Sequence, residues 1–436
     1  MEQITKPHCG ARLDRLPDCR WHSSMFAIVS FGLLVCWSNA VGGLILAQLK
    51  ELGWTDNSTT ATFSAITTAG MFLGALVGGI IGDKTGRRNA FILYEAIHIA
   101  SMVVGAFSPN MDFLIACRFV MGVGLGALLV TLFAGFTEYM PGRNRGTWSS
   151  RVSFIGNWSY PLCSLIAMGL TPLISAEWNW RVQLLIPAIL SLIATALAWR
   201  YFPESPRWLE SRGRYQEAEK VMRSIEEGVI RQTGKPLPPV VIADDGKAPQ
   251  AVPYSALLTG VLLKRVILGS CVLIAMNVVQ YTLINWLPTI FMTQGINLKD
   301  SIVLNTMSMF GAPFGIFIAM LVMDKIPRKT MGVGLLILIA VLGYIYSLQT
   351  SMLLITLIGF FLITFVYMYV CYASAVYVPE IWPTEAKLRG SGLANAVGRI
   401  SGIAAPYAVA VLLSSYGVTG VFILLGAVSI IVAIAI

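Results

Sequence analysis

Charge is what this 436-residue sequence has least of. Asp, Glu, Lys and Arg together make up 12% of it, about half the roughly 25% of a soluble domain. A chain so poor in charge cannot clothe a water-facing surface. It is not a disordered chain either, because 56% of its residues are hydrophobic and its mean hydropathy is +0.72. Histidine is scarce, with three residues. The seven cysteines (Cys9, Cys19, Cys36, Cys117, Cys163, Cys271, Cys371) are odd in number and scattered, with no C-x-x-C pair. That excludes a disulfide framework and points to no zinc site, so no cofactor or metal is expected. The remaining apolar mass has to face lipid.

Crossing the hydrocarbon takes roughly 20 predominantly apolar residues in a helix. Twelve such runs occur, at about 24–49, 60–81, 90–107, 112–137, 147–170, 181–201, 265–290, 303–322, 331–347, 353–377, 390–412 and 417–436. Orientation follows from lysine and arginine. Four precede span one, and three each follow spans two, four and eight. Two follow span ten, and eleven lie between Arg200 and Arg265. The other side has only Lys50, Arg181 and Lys299, while Arg118 and Arg399 fall inside spans. Both termini and the long middle segment are therefore expected in the cytoplasm. The net charge of +9 is explained by topology, without a nucleic-acid partner.

The chain divides into residues 1–23, a first bundle at 24–201, a loop at 202–264 and a second bundle at 265–436. Within the loop, Ala218, Val221, Met222 and Ile225 recur at helical spacing, which predicts an amphipathic helix on the membrane's inner face. The bundles repeat one plan. Gly82-Asp83-Lys84-Thr85-Gly86-Arg87-Arg88 after span two is matched by Asp324-Lys325-Ile326-Pro327-Arg328-Lys329 after span eight, with the aspartates 241 residues apart. Glu138-Tyr-Met-Pro141 with Arg145 after span four is matched by Glu380-Ile-Trp-Pro383 with Arg389 after span ten, at an offset of 242. Basic turns alone would not reproduce the matched Asp, Glu and Pro, so the halves are read as a duplication.

These residues, with RFVMGVGLG at 118–126, PESPRWL at 203–209 and PEIWPTEAKLRGSG at 379–392, resemble the major facilitator superfamily over nearly the whole chain. The similarity is to the branch that holds sugar porters, organic-ion transporters and bacterial metabolite, nicotinate and aromatic-acid permeases. It implies an all-α membrane protein of twelve helices in two pseudo-symmetric six-helix bundles, working by alternating access. Sugar porters and aromatic-acid symporters carry a proton-binding Asp in span one. Here that span has Asn39 and no carboxylate between 24 and 49.

Charges inside lipid cost about 2.5–3.5 kcal/mol each on insertion scales, so those present are candidates for function. Arg399 lies nine residues into span eleven from Gly390, roughly 14 Å deep at 1.5 Å per residue, near the middle of a core about 30 Å thick. Its guanidinium can grip a carboxylate through two parallel bonds. The stretch Arg399-Ile-Ser-Gly-Ile-Ala-Ala-Pro406 is similar to one in animal organic-anion transporters, which implies anion contact; pairing with a neighbouring helix is the alternative. Arg118 matches a family position linked to proton coupling, with a structural role as alternative. Glu95 and His98, one turn apart on span three, could exchange a proton near neutral pH; the alternative is that Glu95, toward the cytoplasmic third, reaches interfacial water or bridges to the basic turns.

At the cytoplasmic turns, Asp83, Arg87, Arg88, Glu138, Arg145 and Arg151 are repeated by Asp324, Arg328, Lys329, Glu380 and Arg389. Ion pairs linking the bundles there would form a gate. Asn39, Asn277, Gln280, Tyr281, Asn285, Trp286, Tyr369 and Tyr372, with Tyr367 nearby, are the candidate cavity lining. The sequence therefore predicts a monomeric inner-membrane secondary transporter, not an enzyme, that takes up a small organic anion with protons. A neutral sugar or polyol, or facilitated diffusion, is the alternative.

Overall fold

The structure is a computed structural model that describes residues 7–17, 19–35, 37–141, 145–240, 253–383 and 386–436. Among them there is no strand. Spans two, three, four and six are single helices, Asn57–Thr85, Arg87–Ala106, Met111–Tyr139 and Ala176–Tyr201. In the second half, spans seven and nine are Gly260–Thr293 and Arg328–Ser347.

The other spans depart from the continuous runs expected. Span one is two helices, Arg20–Val35 and Gly42–Glu51, joined by an unwound segment at 37–41. Span five breaks at Trp158 between Arg145–Asn157 and Ser159–Leu170. Span eight breaks at Phe310 between Leu298–Met309 and Gly311–Val322. Span ten, Met352–Cys371, widens into a π-helical turn at Tyr372–Tyr377. Spans eleven and twelve lie in one helical stretch, Lys387–Ala435, bent where Gly417 takes φ 63°. Period and hydropathy cannot show such breaks, because a freed backbone group is tolerated wherever a neighbouring helix satisfies it.

In each half, glycines set how closely the central helices pack. On spans two and four, a Cβ on Gly74 would lie 2.1 Å from the Val123 carbonyl oxygen, and one on Gly126 would lie 2.1 Å from that of Met71. In the second half, a Cβ on Gly315 would lie 2.3 Å from the Thr364 carbonyl oxygen. Gly74 and Gly315 are 241 residues apart, the offset of the repeat. Backbone meeting backbone this closely is how membrane helices gain dispersion energy where no hydrophobic effect drives them together.

The halves meet at the end away from the basic turns. Gly43 of span one packs on the Ile284 carbonyl of span seven, Asn57 donates to Ser414 (3.0 Å), and Asn305 donates to Ser164 (3.0 Å). Ala61 joins Trp286, Ile290, Val409 and Leu413 in one buried cluster.

At the basic face the loop helix Tyr215–Thr233 corrects an expectation. Its apolar residues Ala218, Met222, Ile225 and Val229 are covered by Cys9, Leu13 and Leu16 of the N-terminal segment and by Trp208 and Leu209, so this stripe is buried in protein and does not lie on the membrane. Arg12 pairs with Glu219 and, at 2.7 Å, with Glu226, while Arg15 reaches Glu226 at 2.7 Å. Burial works against the Glu226 charge, yet these arginines hold its carboxyl below the usual range.

Candidate functional site

A cavity of about 240 Å³ lies between the halves. The first half supplies Leu33, Asn39, Met71, Leu125, Leu129, Phe133, Ser153, Gly156, Asn157, Ser159 and Tyr160; the second supplies Gln280, Tyr281 and Arg399. Along span four the lining steps from Leu125 through Leu129 to Phe133, toward the basic end. Arg399 is half-buried on the wall, and its Nη1 has no hydrogen-bond partner among the described residues. Tyr160 stands edge-on to buried Tyr367, with ring centroids 5.4 Å apart. Gly402 of span eleven sits against the Tyr281 ring, where a Cβ would come within 3.2 Å.

Asn39, Gln280, Tyr281 and Arg399 are thus brought together, while the remaining candidates lie elsewhere. Asn277 donates to the Leu273 carbonyl of its own helix (2.7 Å) and backs Gly398. Asn285 packs on Gly42 and Gly43 of span one. Trp286 is fully buried in the interhelical cluster with Ala61 and Val409. Tyr369 donates to the Val272 carbonyl (3.2 Å) and stacks on Tyr372, which stacks on Tyr377, all within the second half's core. The physical reason is rotation: span seven presents a new face every residue, and only the side turned to the cavity can line it. Met71, Ser153, Asn157, Ser159 and Tyr160 were not singled out in the sequence. Asn157 had a usable signal, since it is a polar residue inside a span, 242 residues before Arg399.

A second polar group lies in the first half. Glu95 and His98 are both 0% exposed, in place of the interfacial setting expected for them. His98 Nδ1 is 3.6 Å from Glu95 Oε2, and His98 Nε2 is 2.7 Å from Ser38 Oγ in the unwound segment of span one. Fully buried Arg118 donates through Nη1 to the Ser38 carbonyl (2.7 Å) and lies over the Phe63 ring, 4.6 Å from its centroid. The break explains the bond. Gly42 N–H turns to the Asn39 carbonyl (3.1 Å), which releases the Ser38 carbonyl for the guanidinium. A Cβ on Gly42 would stand 2.6 Å from Arg118 Nη2, so a larger residue there would push the guanidinium aside.

The ion pairs described at the basic turns join helices within each half. Arg87 pairs with Asp83 (2.7 Å) and Glu138 (2.9 Å), joining spans two, three and four. Arg328 pairs with Asp324 (3.0 Å) and Glu380 (2.9 Å), joining spans eight, nine and ten. Arg88 donates to the Trp199 carbonyl of span six. Arg151 is exposed over Trp148, Lys329 is exposed and Arg389 is half-buried, while the Arg145 side chain lies outside the described residues. Adjacent helix ends of one half lie nearer to each other than to the other half while the basic end is parted, so opposite charges pair there first. The PESPRWL segment holds this corner. Glu204 accepts from the backbone N–H groups of Arg87 (2.7 Å) and Arg88 (3.2 Å), and its carboxylate fills the space beside Gly86, whose φ is 98°. Burial pushes the Glu204 carboxyl up.

Twelve spans in two repeated halves around a central cavity define a multi-pass membrane transporter. The profile of the Major Facilitator Superfamily matches residues 26–406, and the chain belongs to that family. It is 44% identical to the inner membrane metabolite transport protein YdjE of Escherichia coli (strain K12), over 98% of this chain and 94% of that protein. To the niacin transporter NiaP of Acinetobacter baylyi it is 24% identical, over 92% and 89% of the two chains. A partially occluded, inward-open structure of the E. coli xylose transporter XylE shares the fold, with a TM-score of 0.73 at 18% identity over 95% of this chain and 97% of that one. The family and these relatives transport metabolites across membranes; they are not enzymes.

Proposed function

We propose that the protein takes up a small organic anion, a sugar acid or an aromatic or heteroaromatic carboxylate, in symport with protons. It works as a monomer in the inner (plasma) membrane, with the basic face, both termini and residues 1–23 and 202–264 in the cytoplasm. Bundles 24–201 and 265–436 are the moving bodies, and the cavity is the substrate site seen from inside. The observation that carries the substrate class is Arg399, a permanent cation on the cavity wall with Nη1 unmatched. A guanidinium out of water is stabilised by an anion able to accept two of its hydrogens. Tyr160, Tyr281 and Phe133 supply apolar ring surface beside it, and Asn39 and Gln280 supply orienting amides.

The experiment is a thermal-shift screen of purified protein with nicotinate, benzoate and glucuronate against xylose and inositol, followed by labelled uptake by wild type and Arg399→Gln. Carboxylates should raise the melting temperature by mass action, and Arg399→Gln should sharply reduce that rise at the same ligand concentration. Unaltered carboxylate uptake by the variant would overturn the anion reading. A neutral polyol is the second reading, favoured by the amides Asn39, Asn157 and Gln280; stabilisation by inositol or xylose alone would establish it.

A further inference from the structure

We propose that Glu95 and His98 are the proton-binding site, and that Ser38 passes their state to Arg118 and to the break in span one. The proposal rests on the proton-driven reading above. Span one has no carboxylate between 24 and 49, but a fully buried one, Glu95, lies on span three. From Glu95 the contacts run to His98 (3.6 Å), then to the Ser38 hydroxyl (2.7 Å), and from the Ser38 carbonyl to Arg118 (2.7 Å). His98 Nδ1 and Arg118 Nε have no hydrogen-bond partner among the described residues.

The charge states fix what this group can do. With Glu95 ionised and His98 neutral, one negative and one positive charge cancel in the group as a whole, with the His98 ring and Ser38 between them. Uptake of one proton from water, on either Glu95 or His98, leaves a single uncompensated positive charge out of reach of solvent, which is costly in a low-dielectric interior. The two protonation states therefore weigh conformations differently, as a coupling device requires. Ser38 is the reader. A neutral ring with its proton on Nδ1, toward Glu95, accepts the Ser38 hydroxyl proton at Nε2; once a proton is taken up at Nε2 and the Nδ1 proton passes to Glu95, the ring donates at Nε2 and the hydroxyl must turn round to accept. That reversal happens in the unwound segment, one residue from cavity-lining Asn39 and on the residue whose carbonyl holds Arg118.

Span four turns Arg118 and Cys117 inward. Span three adds Tyr94, bonded to the Gly78 carbonyl (3.0 Å). The buried faces of spans two and six, among them Thr67, Met71, Ala188 and Ser191, are uncharged. His22 of span one sits at the basic end beside Cys19 (3.3 Å).

The test needs no substrate. Infrared difference spectra of the lipid-reconstituted protein between alkaline and acidic buffer should show a carboxyl that protonates in a dry setting. This band is lost in Glu95→Gln and displaced in His98→Asn. Ser38→Ala should keep the band yet lose the acid-induced change in hydrogen exchange across residues 37–43. A band that survives Glu95→Gln unchanged overturns the proposal. With nicotinate as transport probe, Glu95→Gln should exchange labelled nicotinate across the membrane but fail to accumulate it on a proton gradient; accumulation at the wild-type level also overturns it. Absence of nicotinate movement by the wild type counts against the substrate reading alone, and the spectra still decide this one.

Discussion

Where the first half buries Glu95, His98 and Arg118 between spans one, three and four, the second half, 241 residues further on, places Leu336, Ile339 and Gly359. Ser38 corresponds in the same way to Val279, which is also buried. The second half in turn carries Arg399 on the cavity wall, where the repeat puts uncharged Asn157 in the first. Two copies of one scaffold thus hold their intramembrane charges in different places. A duplicated fold conserves the packing that both copies need, and leaves each copy free to bury charge only where its own neighbours can balance it. We read the first half as the proton side and the second as the anion side.

The strongest way to break the symmetry claim is through the packing that the halves share. Gly74→Val and Gly315→Val should each cost about 3 kcal/mol or more by overpacking, since the obstructing atoms are backbone carbonyls 2.1 and 2.3 Å from the new Cβ. Monodisperse yield and melting temperature after detergent extraction are the readouts, and near-native values for either variant would show that helix contact is not set by these glycines.

Next in size is the division of charge. Arg118→Gln should abolish gradient-driven accumulation, while Arg399→Gln should weaken carboxylate binding by about 1.5–3 kcal/mol, roughly tenfold to a hundredfold. Titrating binding and coupling separately in both variants sharpens the comparison; identical phenotypes would dissolve it.

The basic turns should differ more modestly. Arg87→Ala removes a partly buried cation from two carboxylates and should lower stability by about 1–2 kcal/mol, whereas Arg328→Ala breaks pairs with exposed acids worth about 0–1 kcal/mol. Chemical denaturation of the two variants in matched micelles ranks them.

Smallest is the clasp of the N-terminal helix Cys9–Asp14 on the loop helix. Bonds from Arg12 hold the Glu219 carboxyl below its ordinary value, and Glu226 is likewise depressed. Depressed carboxylates stabilise docking above their unfolded pKa, about 4.3 for Glu, and that stability is lost as the pH falls through the folded value. Protection of the amides over residues 9–16, corrected for the intrinsic pH dependence of exchange, should therefore fall in acid and, at neutral pH, in Arg12→Ala. Protection indifferent to both would mean that apolar burial alone holds the helix.

Hydropathy, basic turns and the paired Asp and Glu motifs were enough to establish twelve helices, two repeated halves and the family, because lipid permits few backbone solutions and the spacing of apolar runs reports them directly. Arg399 could be placed at mid-depth by counting residues from Gly390. The three-dimensional arrangement alone decided the rest. It turned Trp286, Tyr369 and Tyr372 into packing and paired the basic turns within each half. It also broke span one beside Ser38, whose hydroxyl meets the His98 ring of span three and whose carbonyl takes the Arg118 guanidinium of span four. Depth along a helix follows from sequence position, but which residues meet across helices depends on rotation and on local breaks, and those are set by contacts between segments far apart in the chain.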